Sequence, residues 1–394
     1  MASAHHTSII DALHRLSLYV EQTEWRGYDP FDALNSPVVK ALSFNQKWLR
    51  VAWTQLFRRS PVNLRPLFLT RKGMNPKGLG LFLSAVIRQF QRTGDQKYKI
   101  QADQLINLIE SHCIQGYAGP CWGYNFDWQN TKFLFEKGTP TLVNTSVVCD
   151  ALLDAYEEWG DRRHLETARK ACTFVLTDLH RTVTEQGICF SYTPEDASMV
   201  YNASILGGRL LARVGRITGN QELISVAAQT VSFLLSRQRD DGSWSYGEWQ
   251  MQQHIDSYHT GFNLEALADI HRFLPDLKIE DAMMRGLNFY MTHLFKADGF
   301  PKFLSDQDYP VDIHNISALI PLVKCARYRN NDLDLKRISS WFIREMQGRG
   351  GQFYFRKGRH WINKTPFIRW GQAWAYLSLS IYAQHLKGQE EETQ

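Results

Sequence analysis

GPCWGYNFDWQNTKFLFEKGTPTLVNTSVVCDALLDAYEEW, residues 119–159, decides the fold. A loop rich in glycine and aromatic side chains runs into a helix that is apolar on almost every side, and the same order recurs four more times. The later copies are GICFSYTPEDASMV into YNASILGGRLLARVGRITG, DDGSWSYGEWQM into SYHTGFNLEALADIHRFL, DGFPKFLSDQDYPVD into IHNISALIPLVKCARY, and RGGQFYFRKGRHW into PFIRWGQAWAYLSLSIYAQHL. Thr145, Ala203, Thr260, Ser317 and Gly371 hold matching places, 58, 57, 57 and 54 residues apart. Between copies lies a second helix with apolar residues three and four apart and a charged face, as in HLETARKACTFVLTDLH, QELISVAAQTVSFLLSRQ and EDAMMRGLNFYMTHLF. Each repeat is therefore a helical hairpin with an inner and an outer member.

Upstream, GLGLFLSAVIRQFQRTG reads as a sixth inner helix and YKIQADQLINLIESH as its outer partner. Small residues such as Gly207, Gly208, Gly261 and Gly371 let inner helices approach closely. Stacked solenoids repeat at roughly 34–47 residues and need polar caps. The longer period here predicts an all-α, closed (α/α)6 toroid, a six-hairpin barrel with extra N-terminal helices near Thr7–Gln22 and Pro37–Arg58. With no Pro/Gly/Ser-rich divider, residues 1–394 read as one domain. Within it, 1–74 are N-terminal helices and an arm packed on the ring, 75–388 the hairpin repeats and 389–394 a disordered tail.

Hydrophobic residues make up 44% of the chain and charged residues 22%, an ordinary globular balance. Lys and Arg exceed Asp and Glu by 45 to 40. Taken as spread along the chain, that excess predicts neither a nucleic-acid nor a membrane partner. No run approaches the roughly 20 apolar residues of a membrane span, and MASAHHTSIIDALHRL lacks the features of a signal peptide, so a cytoplasmic protein is expected. Six cysteines without a CxxC suggest small core residues rather than zinc ligands or disulfides.

WRGYDPFDALNSP, residues 25–37, and IRWGQAWAYLSLS, residues 368–380, resemble segments of VpsJ-like bacterial proteins of exopolysaccharide biosynthesis. More broadly, the repeats resemble the six-hairpin glycosidase and terpenoid-cyclase toroids over roughly residues 75–390. The resemblance implies a carbohydrate context, with an oligo- or polysaccharide substrate and other polysaccharide-synthesis proteins as partners.

In a closed ring the loops leading into the inner helices converge on one mouth. There Trp122, Tyr124, Trp128, Tyr192, Trp244, Tyr246, Trp249, Tyr258, Tyr309, Tyr354, Trp361 and Trp370 are expected to offer flat faces to sugar rings, with Asp308, His314 and Arg369 among the polar groups that bind the substrate. The competing reading is that such aromatics cover helix ends. Hydrolysis of a glycoside needs an acid and a base or nucleophile, usually two carboxylates. The loops supply Asp127, Glu136, Glu195, Asp196, Glu248, Asp256, Asp306, Asp308 and Asp312. Apolar neighbours raise a carboxyl pKa, which selects Asp127 in WGYNFDW and Glu248 in WSYGEW as the catalytic pair. Loop charges and helix caps are the alternative for each, Asp312 before IHNISAL above all.

His254, His259, His314 and His360 fall at the same end of their repeats. They open a second chemistry, a uronic-acid lyase or C5-epimerase with Tyr258 and His259 as catalytic groups and Arg369 on the substrate acid. TPTLVNTS is similar to a stretch of the helical domain of glucuronyl epimerases. His254 and Asp256 are not at the i, i+4 helical spacing and no HExxH occurs, so no metal is expected, and nothing calls for a cofactor. Gln238, Gly242 and Trp244 reproduce the Q-x-x-x-G-x-W pattern of terpenoid cyclases, where it ties one hairpin to the next; DxDD and DDxxD are absent, which disfavours cyclase chemistry. In the arm, Arg26, Tyr28, Asp29 and Asp32 either reach the mouth or cap the following helix. The sequence thus predicts a glycoside hydrolase-like enzyme of exopolysaccharide biosynthesis, with a lyase or epimerase and a non-catalytic polysaccharide-binding scaffold as alternatives.

Overall fold

Three hairpin turns are spelled by two residues each, Gly94-Asp95, Gly160-Asp161 and Gly219-Asn220. Each glycine ends a helix in the left-handed region, at φ 69°, 75° and 73°. The Asp or Asn that follows accepts a free N–H from the first turn of the next helix. The computed structural model describes residues 4–129, 134–275, 279–326, 328–329 and 332–392. In it, α1 (Ala4–Gln22), α2 (Pro37–Leu42) and α3 (Lys47–Arg59) precede the repeats. The hairpins are α4 (Pro76–Thr93) with α5 (Gln96–Ser111), α6 (Leu142–Trp159) with α7 (Arg162–Thr177), α8 (Tyr201–Thr218) with α9 (Gln221–Ser236), and α10 (Ser257–Phe273) with α11 (Glu280–His293). A 3-10 turn, Ile313–Ala318, leads into α12 (Leu319–Lys324), which pairs with α13 (Asp332–Met346); a π-helical turn, Ile368–Ala373, leads into α14 (Trp374–Glu392).

The even-numbered helices from α4 to α14 pack each on the next, and α14 returns to α4, so the inner ring closes. The sixth hairpin is made by the two ends of the chain, because α1 packs on α14 and α13 as the missing outer helix. Inner helices are buried almost all round. In α6 the buried set includes Leu142, Val143, Val148, Leu152 and Leu153, each contributing roughly 1.5–3 kcal/mol by leaving water. One continuous apolar core runs from Ile9 to Ala383 and includes five of the six cysteines, all of them free. The helix after residue 388 replaces the expected tail: α14 continues to Glu392, and the Glu390 carboxylate bonds His6 Nδ1 at 3.0 Å. Residues 393–394 lie outside the described residues.

A glycine in each of five loops meets the backbone of the outer helix of the hairpin that follows. A Cβ on Gly119 would stand 2.1 Å from the Lys170 carbonyl oxygen of α7, on Gly187 2.2 Å from Gln229 of α9, and on Gly242 2.4 Å from Arg285 of α11. On Gly299 it would stand 2.6 Å from the Arg337 carbonyl carbon of α13, and on Gly351 2.1 Å from the Arg15 oxygen of α1. The fifth contact identifies α1 as the sixth outer helix on the same rule as the others. Gln238, Gly242 and Trp244 act as expected in tying hairpins together. Gln238 donates to the Gly242 and Ala282 carbonyls at 3.0 and 2.7 Å, and the Trp244 indole donates to Leu234 at 3.0 Å.

Short antiparallel strands, absent from the all-helical expectation, stiffen the loops. β1 (Trp128–Gln129) pairs with β2 (Leu134–Phe135) and β3 (Arg181–Thr184) with β4 (Gly187–Phe190). β5 (Val311–Asp312), β6 (Arg356–Lys357) and β7 (Ile362–Asn363) join the last two loops in one sheet, with Asp312 opposite Arg356. At the far end of the ring axis a cavity of about 200 Å³ holds a charged network. Arg209 bridges Asp150, Glu265 and Asp269, and Arg213 bridges Asp154 and Glu157.

The N-terminal segment departs from the sequence reading twice. The helix expected over Pro37–Arg58 is broken at residues 43–46, where Phe44 and Asn45 adopt φ of 45° and 55°. The positive charge is not evenly spread, since residues 33–72 hold eight Lys and Arg and no Asp or Glu. Ala33, Leu34, Val39 and Phe57 give this segment a small core of its own. Arg65 anchors it by donating to Asp32 Oδ1 and to the Asp29 carbonyl, both at 2.6 Å. Among the described residues no helix is long and apolar enough to cross a membrane.

Gly242→Ala should destabilise the protein by about 1–3 kcal/mol, through its left-handed φ of 89° and the backbone contact. Gly388→Ala, in open space on α14, should leave stability unchanged or slightly raised. Thermal unfolding of the two variants checks this; equal midpoints would refute the role given to the loop glycines.

Candidate active site

Because every inner helix starts at the same end, the residues just before and within each first turn face one space. That space is a cavity of about 570 Å³. Tyr124 and Trp128 enter it from the first loop, Tyr192 from the second, and Tyr246 and His254 from the third; Tyr258, His259 and Phe262 come from α10, and His314, Arg369 and Trp370 from the last two turns. Phe31 of the arm and Arg58 of α3 complete the wall, and Lys77 and Phe262 form a floor shared with the charged cavity beyond.

The aromatic part is a connected set. The Trp370 and His314 ring centres are 4.3 Å apart, and Phe31 lies 5.6 Å from Trp370 and 5.9 Å from Trp128. The Tyr124 and Tyr192 hydroxyls share a hydrogen bond of 2.6 Å.

Two histidines carry the acid–base potential. Asp256 caps α10 by accepting the His259 N–H at 2.9 Å, and its other oxygen holds His259 Nδ1 at 2.6 Å. Burial pushes the Asp256 carboxyl up, but the charge on His259 and hydrogen bonds from His254 and His259 outweigh it, so it titrates below its ordinary range. An ionised carboxylate only accepts, so His259 Nδ1 carries the proton there and Nε2 is left as the exchanging atom. His314 Nδ1 lies 3.0 Å from the Trp370 carbonyl, which likewise fixes the proton on Nδ1. Burial, with the positive charges of Lys77, Arg369 and His259, drives the His314 pKa well down, so it stands neutral with Nε2 as a base. The Tyr258 ring contacts both imidazoles, 4.3 Å from His259 and 4.7 Å from His314. Burial raises the Tyr258 phenol well above its ordinary value, ahead of the nearby Asp256 charge.

Asp312 does cap its turn, accepting the His314 N–H at 3.0 Å, and it also takes Trp370 Nε1 at 2.8 Å and Arg356 Nε at 2.7 Å. One buried carboxylate thus orients two cavity residues.

Every other charge on the cavity wall is positive. Arg369 gives Nε and Nη2 to Asp29 at 2.7 and 2.8 Å, so the arm reaches the mouth through Asp29 and leaves Nη1 for a ligand. Arg58 stands 5.0 Å from the Phe31 ring with its Nε buried and unbonded. Lys77 Nζ lies 5.2 Å from both the Phe262 and Trp374 rings, and burial, then the Arg369 charge, pushes its pKa down to about 7. Sequence reasoning missed Arg58 and Lys77. Lys77 had a signal, as the lone charge in PKGLGLFLSAVI, whereas nothing in KWLRVAWTQLFRR sets Arg58 apart. Among the described residues no Asp or Glu lines the cavity.

The carboxylates selected from sequence lie elsewhere. Asp127 pairs with Lys40 at 2.8 Å and accepts the Lys137 N–H, while Glu248 pairs with Arg237. Each carboxylate is met by a cation outside its own loop motif. Trp122 and Trp244 are core residues, their indoles bonded to the Ile109 and Leu234 carbonyls. Trp249 caps a 3-10 turn, Asp308 is paired with Lys296 at 2.6 Å, and Trp361 is 44% exposed on the surface; none of the three lines the cavity. Among the described residues one trio could share a cation: donor atoms of His254, Asp256 and His259 lie within 4.8 Å of one another, meeting at a loop–helix junction rather than at helical spacing.

No protein-family model matches the chain, and no curated protein does. Solved structures do. An unsaturated glucuronyl hydrolase specific for heparin is 13% identical, with 98% of each chain covered and a TM-score of 0.66. The GH76 α-mannanase of Bacteroides thetaiotaomicron is 13% identical over 80% of this chain and 88% of its own, at 0.62. The cellobiose 2-epimerase of Bacillus thermoamylovorans is 12% identical over 80% and 88%, at 0.60. At these identities the likeness speaks to the fold, the (α/α)6 toroid of six-hairpin glycosidases and epimerases.

A lysine is charged below its pKa, so the attraction Lys77 exerts on an anion should be present below about pH 7 and lost above it. Calorimetric affinity for glucuronate should therefore fall as pH rises from 6 to 8, and Lys77→Met should be weaker at pH 6 and flatter. An unchanged pH profile in the variant would remove Lys77 from ligand binding.

Proposed function

We propose that the chain is a carbohydrate-active enzyme that moves a proton at the carbon beside the carboxylate of a uronic-acid residue, an epimerase of bacterial exopolysaccharide. His314, neutral, removes the proton through Nε2, and His259, entering the cycle with a second proton on Nε2 beside the Asp256 carboxylate, returns that proton to the opposite face; exchange with water resets both. The negative charge that develops on the substrate carboxylate is met by Arg58, Lys77 and Arg369, in an aromatic cavity where such charges act strongly. The observation that carries this reading is the pair of imidazoles, each anchored by Nδ1, in a wall whose remaining charges are all positive. Motifs similar to VpsJ-like proteins support polysaccharide assembly as the setting.

Elimination shares the first step. Tyr258, in contact with both imidazoles, favours it as a second reading, with the phenol protonating the leaving glycosidic oxygen. Paired-carboxylate hydrolysis is less well supported, since Asp127 and Glu248 are held in ion pairs away from the cavity. Terpenoid cyclisation is disfavoured as well, since no described carboxylate lines the cavity to start it and three cations in the wall oppose a carbocation.

Incubation with uronic-acid-containing polysaccharides in deuterated water tests the reading. Wild type should place deuterium beside the carboxylate, and His259→Gln and His314→Gln should each slow this by about 10²–10⁴-fold. Asp127→Asn and Glu248→Gln should stay near wild type. New reducing ends lost in those two variants would instead restore the hydrolase, an unsaturated product would select elimination, and binding without turnover would leave a scaffold.

A further inference from the structure

Helix α3 has its apolar residues on both sides. Phe57 is buried in the small N-terminal core and Arg58 faces the cavity. Yet Trp48, Leu49 and Leu56 stand 67%, 40% and 48% exposed, with Trp48, Ala52 and Leu56 in line at four-residue spacing along the solvent side. The turn before α3 and the loop after it continue the pattern. Phe44 is 71% exposed and Leu69 62%, both in the left-handed region, at φ 45° and 56°. For a bulky residue this conformation costs roughly 1–2 kcal/mol, and here it holds an apolar side chain out in water. Among the described residues fourteen large apolar side chains are exposed, and eight of them fall within residues 42–69.

The same stretch holds the chain's strongest charge bias. Of the eight cations in residues 33–72, Lys40 pairs with Asp127 and Arg65 with Asp32. Lys47, Arg59, Arg71 and Lys72 have no ion pair among the described residues, and no carboxylate within the segment offsets them. Protruding Trp, Phe and Leu in one stretch with cations that have no ion pair complement a surface that is anionic at its face and apolar just beneath, where Trp and Leu insert and each nearby Lys or Arg adds about 1 kcal/mol. A nucleic acid would match the charge but has no use for Leu56 and Leu69.

We propose that residues 42–69 dock the protein peripherally on an anionic lipid bilayer, with the cavity mouth beside the membrane surface. The placement follows from contacts already described, because α3 supplies Arg58 to the cavity wall and Lys40 grips the first mouth loop at Asp127. Docking leaves the toroid unchanged and adds no membrane-spanning element.

Sedimentation of the full chain with phosphatidylglycerol vesicles and with phosphatidylcholine vesicles tests the inference. The protein should pellet with the first and not the second, and raised salt should release it. Trp48→Ser with Leu56→Ser should weaken partitioning at least roughly tenfold, with an unchanged thermal midpoint because both side chains are exposed. Lys47→Glu with Arg59→Glu should do the same through charge alone. Equal binding to both vesicles, variants that bind like wild type, or no binding at all would overturn the proposal. So would light scattering that finds a wild-type dimer split by Trp48→Ser with Leu56→Ser, since a second copy would then cover the stretch.

Discussion

The close approach of each loop to the next outer helix is the constraint on which the rest of this structure depends. A glycine at the crossing lets the loop carbonyls and amides pass within van der Waals reach of a helix backbone, where any side chain would collide. Pinned at that point, a loop of more than a dozen residues has little freedom left, and its aromatic and polar side chains arrive at the cavity in fixed places. The cavity is thus built by the outer ring as much as by the inner one, although no outer residue of the five repeats lines it.

Within the cavity, order is passed inward by buried carboxylates. Asp256 sets His259, Asp312 sets Trp370 and His314, and Asp29 sets Arg369. Each of these acids stands behind the residue it orients. Leaving such a buried charge without its partner costs several kcal/mol, which keeps the arrangement from relaxing. Carboxylates stand behind the wall and position, while imidazoles and cations line the cavity itself.

The ring was legible because Thr145, Ala203, Thr260, Ser317 and Gly371 keep a near-constant spacing and because the inner helices are apolar almost all round. That α1 closes the ring was not legible, since an amphipathic helix at the N-terminus looks the same whether it pads the surface or completes a hairpin. At the site, Tyr258, His259, His314, Arg369 and Trp370 could be picked out because each sits in the first turns of an inner segment, where position along the chain translates into position in space. Asp127 and Glu248 were chosen on the polarity of their sequence neighbours, and polarity in space is decided by Lys40 and Arg237, which periodicity cannot bring near. Trp122 and Trp244 read as cleft residues from sequence because a tryptophan buried against a helix and one that lines the cavity, as Trp128 does, stand in the same kind of loop. Totals of charge concealed the segment from 33 to 72, where position rather than sum carries the information.

Closure of the ring by the first and last helices governs the order in which the fold can be completed. While the chain is being made, the flanks of α4 and of the growing array stay open, and α1 lacks its main partners until α13 and α14 emerge more than three hundred residues later. His5 and Tyr382, Ser17 and Tyr376, and Arg15 and Gly351 meet only then. Contacts so distant along the chain form late and slowly, so the nascent toroid is an open crescent with bare apolar edges, in need of protection until its two ends find each other.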